Sequence, residues 1–207
     1  MTTMKKMILG LLLTFTLAGC GLQSTPTTSG NLIVPSEYSN NKTIEVESCN
    51  LSGERKANVK VDIGYGDREY YAYTNEYGQL AYVQANEITL QTDDELVAGK
   101  KRYCNDEAKV PGTEAKNLDE GHVIADSLGG VGNAYNITPQ ESQLNRYGEQ
   151  AEMERMMRDT LKNGGTVTDF VAVIEYADTA TQIPESYAIG LMLDGEPITF
   201  DFFNVTE

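Results

Sequence analysis

Several short stretches alternate apolar and polar residues with period two, and each predicts a strand with one buried face. Thr43 to Ser48 is the first. Asn58 to Ile63 alternates through Val59, Val61 and Ile63. Gly64-Tyr65-Gly66-Asp67 then turns the chain, and the tyrosine-rich Glu69 to Thr74 is β-prone. Asn75-Glu76-Tyr77-Gly78 is a second turn, and Gln79 to Gln84 returns as the other arm of a hairpin. Glu87 to Leu90 reads as a fourth short strand, and the charged Asp93 to Lys101 as a short helix or an excursion. Pro111-Gly112 interrupts any regular element in the next stretch.

Gly121 to Ile124 again has strand character, and Gly129-Gly130 ends it. Pro139 suits the first turn of a helix predicted to run to about Lys162. Met153, Met156, Met157 and Leu161 form one apolar stripe on it, read as core. Asn163-Gly164-Gly165 stops that helix. Val167 to Tyr176 is a strand, and Tyr187 to Leu193, Asp194-Gly195 and Ile198 to Phe203 form a terminal hairpin. Strands, one main helix, then more strands predict an α+β fold on an antiparallel β-sheet core, without internal repeat or second domain.

The first residues obey another pattern. Lys5 and Lys6 precede an apolar run, Met7 to Ala18, which is too short to span a bilayer. Leu17-Ala18-Gly19-Cys20 resembles a bacterial lipobox, in which Cys20 becomes the lipidated first residue. The plainer alternative is a signal peptide cleaved nearby, and both export the chain. The expected organisation is a lipoprotein signal peptide over 1–19, a flexible tether over 20–42 and one folded domain over 43–207. Ser, Thr and Gly with Pro26 between Gln23 and Asn31 have tether composition. On this reading the domain is extracytoplasmic, lipid-anchored to the cell membrane through Cys20.

Charge narrows the partners. The net charge is −15, and removing residues 1–19 takes away Lys5 and Lys6 and no acid, which leaves −17. Strong acidity argues against a polyanionic partner in general. The distribution is uneven, however: from Asn163 to Glu207 there are eight acidic residues and no Lys or Arg. A nucleic acid could be held only on the side formed by residues 42–162. Cys49 and Cys104 remain after Cys20. In an exported protein they can pair as a disulfide, and the alternative is two free buried thiols.

His122 is the only histidine. That excludes any His-pair metal site and makes His122 the most economical general base. It sits in Asp119-Glu120-Gly121-His122, where Gly121 would let the backbone approach closely. Asn136 and Asn145 follow, and carboxylates come after them. An amide oxygen from Asn145 could hold a hydrated Mg²⁺ loosely. Taken singly, a His beside Gly is more often structural, Asn136 is a turn residue and Asn145 a helix-start residue.

The ordered set changes that weighting. Asp-x-Gly-His, Leu128-Gly129-Gly130, Asn136-Ile137-Thr138-Pro139-Gln140, Asn145-Arg146 and Met153-Glu154 together resemble the non-specific DNA/RNA endonuclease family with its ββα-metal (His-Me finger) site. The resemblance implies His122 as general base and Asn145 as the single protein ligand of a hydrated Mg²⁺, with Mn²⁺ or Ca²⁺ as substitutes in its place. It implies Asn136 as an active-site asparagine that supports the site or touches substrate. Glu154 would be a catalytic carboxylate that also serves the metal by holding its waters, and Asp119 a brace for the His strand. DNA and RNA would both be cut, to 5′-phosphate ends, by a monomer.

Two departures qualify it. Where the better-studied branch of the family has Arg before Gly-His, this chain has Glu120. Phosphate contacts would then fall to Arg146, Arg155 or Lys100-Lys101-Arg102. The second departure is one extra residue between Asn145 and Glu154. On a regular helix at about 100° per residue, Glu149 and Glu152 share the face of Asn145 and Glu154 lies opposite. A π-bulge near Tyr147-Gly148 would bring Glu154 round. The rival function is a nuclease-like lipoprotein without activity that acts as a binding or adhesion module.

Overall fold

The computed structural model describes residues 32–92, 94, 96 and 103–204. Cys20, the signal peptide, the tether up to residue 31 and most of 93–102, including Lys100, Lys101 and Arg102, lie outside the described residues. The strands are β1 (Lys42–Ile44), β2 (Val59–Asp62), β3 (Tyr70–Thr74), β4 (Leu80–Ile88), β5 (Leu118–His122), β6 (Ile137–Glu141), β7 (Val167–Glu175), β8 (Ser186–Leu193) and β9 (Glu196–Phe203). Two helices, α1 (Ser142–Arg146) and α2 (Glu149–Lys162), lie between β6 and β7.

Seven strands form one sheet in the order β1-β2-β3-β4-β7-β8-β9, and β5 and β6 form a separate hairpin. The large sheet is antiparallel except for its edge, where β1 runs parallel to β2. Strand β4 merges the two stretches expected at Gln79 to Gln84 and Glu87 to Leu90. Exposed Asn86 and Glu87 hide the continuity in sequence, but pairing with β7 runs on to Ile88↔Val167. The β8–β9 turn has Asp194 and Gly195 at positive φ, 53° and 83°. Two such residues make the type I′ turn that matches strand twist.

One face of the sheet packs against α2 and the segment after β5. Val61, Val83, Phe170 and Ala172 meet Ile124, Leu128, Met153 and Met157 in one buried cluster. Burying such a side chain stabilises by roughly 1.5–3 kcal/mol. Met156 and Leu161 are only half-buried, so the expected stripe is fully buried at Met153 and Met157 and partly at Leu161, which packs against the same cluster.

Residues 32–41 are part of the fold, not of a free tether. Tyr38 stacks on Tyr82 with ring centroids 5.7 Å apart and lies 6.1 Å from Tyr73. Asn41 Nδ2 donates to the carbonyls of Val59 (3.1 Å) and Thr74 (2.9 Å). These contacts fall within the stretch 20–42 expected as tether.

The helix expected from Pro139 starts later. Pro139 lies in β6, opposite Glu120. A strand paired on one side only accepts proline where the missing N–H would face away from the ladder. Helix α1 begins at Ser142, capped by the Glu141 side chain, which accepts from the Leu144 amide at 2.8 Å.

Candidate active site

One open cleft lies where β5, the turn after it, α1 and α2 meet. His122, Asn145 and Glu154 all line it, with Arg146 and the acidic Glu107, Asp119, Glu120 and Asp126. His122 ends β5, opposite Ile137. The next residues leave the ladder and form a 3-10 turn at Asp126–Leu128.

Asn136 holds that turn in place. Its side chain is fully buried. Its Oδ1 accepts from the Ile124 amide (3.0 Å), and its Nδ2 donates to the carbonyls of Ile124 (2.9 Å) and Val131 (2.8 Å). Every one of these bonds goes to backbone, which is the supporting one of the two places expected for Asn136. A Cβ on Gly130 would sit 1.9 Å from the Ile124 carbonyl oxygen and 2.7 Å from Asn136 Nδ2. Only glycine lets the turn close this tightly over the asparagine.

Asp119 braces α1. Its carboxylate accepts from Asn145 Nδ2 (3.1 Å), Ser142 Oγ (3.1 Å) and Arg146 Nε (2.7 Å), with Arg146 Nη2 on its other oxygen. Burial pushes the Asp119 carboxyl up, but the bonds from Arg146, Asn145 and Ser142 outweigh it and hold the group below the usual carboxylate range. An ionised carboxylate only accepts, so the Asn145 amide must turn its nitrogen toward Asp119. Its Oδ1 is thereby the atom offered to a cation. Asn145 Oδ1 and the Glu154 carboxylate are oxygen donors, which suit a hard cation that keeps most of its waters. Among the described residues no group of three or more His, Cys, Asp or Glu forms a metal cluster.

Glu154 reaches the cleft through an irregularity at Tyr147-Gly148, where the sequence predicts one, but the irregularity is a break between two helices. The chain does not pass from Asn145 to Glu154 on one helix with a π-bulge. Gly148 N does bond Gln143 O at 2.7 Å, an i→i−5 contact. The chain then leaves the helix, with Gly148 extended at φ −90° and ψ −156°, before α2 begins. A Cβ there would lie 2.9 Å from Leu144 Cα and 3.1 Å from Gln143 O. Because α1 and α2 are separate, the angular count from Asn145 does not apply. Glu149 and Glu152 are exposed, and Glu152 lies 3.7 Å from Arg155.

The Glu154 side chain is 17% exposed. Its Oε1 accepts from Gln150 Nε2 (3.1 Å) and its Oε2 from Arg158 Nη1 (3.4 Å). Burial pushes its carboxyl up, partly offset by Gln150 and Arg158. Sequence reasoning missed both partners. The signal was present: Gln150, Glu154 and Arg158 recur at i, i+4 and i+8, one polar face beside the methionine stripe.

The basic residues fare differently. Arg146 lines the cleft but is tied to Asp119. Arg155 is not among the cleft-lining residues: it pairs with Glu152 and with Asp159 (3.1 Å) on the exposed side of α2. That position gives no support to the expected substrate contact of Arg155. Glu120 is bonded to Lys109 Nζ at 3.0 Å, and Lys109 also meets Asp106 at 3.1 Å. Cys49 and Cys104 form a disulfide. It fastens the start of the segment that carries Glu107 and Lys109.

Comparison with known proteins bears on the fold and the family. NucA from Streptococcus agalactiae, in a crystal structure with no metal bound, superposes with a TM-score of 0.52 at 12% identity, over 76% of this chain and 76% of that one. A second crystal structure of NucA from Streptococcus agalactiae, with magnesium ion bound, gives 0.50 at 14% identity, over 73% of this chain and 78% of that one. At such identities the likeness speaks for the fold alone. The sequence profile of the DNA/RNA non-specific endonuclease family matches residues 50–194, most of the described chain and all of the cleft. The chain therefore belongs to the DNA/RNA non-specific endonuclease family.

Proposed function

We propose that this nuclease is a Mg²⁺-dependent, sugar-non-specific phosphodiesterase that cuts DNA and RNA and leaves 5′-phosphate ends. The observation that carries the reading is the meeting of His122, Asn145 and Glu154 in one cleft from three separate elements. His122 takes a proton from the attacking water as general base, worth about 10²–10⁴-fold. Asp119 fixes the Asn145 amide through its nitrogen, so that Oδ1 would be the atom that holds a cation. Glu154 would hold waters of a bound cation, and Arg158 keeps that carboxylate in place. The divalent ion, when bound, neutralises charge on the phosphoryl and leaving oxygens. Magnesium in a NucA crystal structure supports that choice of ion. The lipobox at Leu17-Ala18-Gly19-Cys20 supports export and a lipid anchor on Cys20, with the domain acting as a monomer outside the membrane.

Incubation of plasmid DNA and of RNA with the purified protein and Mg²⁺, with and without EDTA, tests the activity. Both substrates should be degraded only without EDTA. Binding without cleavage under all metals would favour the alternative of an inactive binding module, to which the −15 charge and Glu120 lend support. Radiolabelled lipid incorporation, lost in Cys20→Ala, tests the anchor.

A further inference from the structure

Gln150 is 1% exposed, yet it is a polar residue on the face of α2 that meets the end of β5. Its Nε2 donates to two acceptors on different elements: the backbone carbonyl of His122 at 3.1 Å and Glu154 Oε1 at 3.1 Å. We propose that Gln150 is a positioning residue that sets His122 and Glu154 at a fixed separation across the cleft.

The two hydrogens of one planar amide diverge at a fixed angle, so a single side chain dictates where both acceptors lie. On its far side Glu154 is held by Arg158, which reaches Ser127 Oγ as well, at 3.4 Å. The carboxylate thus has a donor on each oxygen, one from the turn below and one from the turn above on α2. The His122 backbone has the β6 ladder on one flank and Gln150 on the other. An apolar side chain at 150 would leave a strand-end carbonyl and a largely buried carboxylate oxygen each short of a donor. Supporting hydrogen bonds of this kind around a metal site change metal affinity or activity by about 10–100-fold when removed. The inference rests on the nuclease reading for the roles of His122 and Glu154, but the positioning itself does not need turnover to be read.

The test uses Gln150→Met, which keeps volume and removes both donors, and Gln150→Glu, which keeps shape. Thr160→Val on the same helix is the control. His122 is the only histidine, so its ring gives the sole imidazole signals in a ¹H–¹³C spectrum. Without metal, those signals should move in both Gln150 variants and stay put in Thr160→Val. With metal, the Mg²⁺ concentration for half-maximal thermal shift should rise about tenfold. The turnover number should fall by a similar factor with KM for DNA unchanged. If Gln150→Met does not fold, Gln150→Glu carries the same readings. Unmoved His122 signals and unchanged Mg²⁺ dependence in a folded variant would overturn the proposal. A wild-type protein that neither cleaves nor responds to Mg²⁺ would overturn the nuclease reading instead, and the imidazole signals would still decide the positioning.

Discussion

Across the seven-stranded sheet the fully buried side chains are mostly apolar, among them Val61, Leu80, Val83, Phe170 and Ala172. The unit of β5, β6, α1 and α2 and its loop buries Asn133, Asn136, Thr138, Gln140 and Gln150. Apolar burial is non-directional and scales with area, so the sheet tolerates small shifts. A buried amide is satisfied only by partners at defined angles. The cleft unit therefore uses its polar groups to aim particular atoms, such as the Ile124 backbone through Asn136 and Asn145 Oδ1 through Asp119. Stability resides mainly in the first region and geometry in the second.

Five measurements test that division. His122→Ala should lower cleavage by about 10²–10⁴-fold with the melting temperature nearly unchanged, because a proton acceptor is lost and no core contact goes with it. With no second histidine to substitute, near-wild-type turnover would sink the mechanism. Glu154→Gln should also abolish efficient Mg²⁺-dependent cleavage, whereas Glu152→Gln should be silent, since Glu152 lies outside the cleft lining. Burial raises the Glu154 carboxyl pKa, so its ionised form costs folded-state stability above that pKa. The metal-free Glu154→Gln protein should therefore melt no lower than wild type at neutral pH. A damaging Glu152 change beside a silent Glu154 change would overturn the assignment.

The next three effects bear mainly on folding. Phe170→Ala, in the sheet core, should cost about 3–5 kcal/mol in denaturant unfolding and leave the Mg²⁺ concentration for half-maximal activity where it was. Asn136→Ala should cost roughly 2–4 kcal/mol, since three backbone groups lose their partner, and should also slow cleavage in the molecules that remain folded. If Phe170→Ala shifted the metal dependence more than Asn136→Ala did, the division between the two regions would fail. Asp119→Asn should show the smallest effect on stability. The Asp119 pKa is depressed in the fold, so its stabilisation is present above the ordinary carboxylate range and fades as pH falls through the lower folded value. The variant should be less stable than wild type at pH 6, and the gap should narrow as pH falls below the ordinary carboxylate range. A stability gap that persists undiminished at pH 2 would mean the ion pair with Arg146 is not its source.

The strands around Val59 to Ile63, Glu69 to Thr74, Val167 to Tyr176 and the terminal hairpin were legible because alternation is a local signal, visible within six to nine residues. Boundaries slipped where a neighbour changed the rules. Thr43 to Ser48 shortens to β1 because the chain loses its parallel partner after Ile44. Pro139 looked like a helix start because only the paired β5 strand makes it a strand residue.

In the cleft, sequence alone determined which groups are available: one imidazole, the Asn145 amide and carboxylates within a helix-length of it. It also limited the disulfide to Cys49 and Cys104 once Cys20 was set aside. The tertiary structure decided which carboxylate of α2 shares the cleft with the histidine, because the break at Tyr147-Gly148 separates α2 from α1. It decided that Asn136 acts through backbone, that Arg146 faces Asp119 and that Arg155 points elsewhere. The physical reason is range. Periodicity and residue chemistry act over one or two turns of chain, whereas a hydrogen bond from Gln150 to His122 spans 28 positions and exists only after α2 has docked on the sheet.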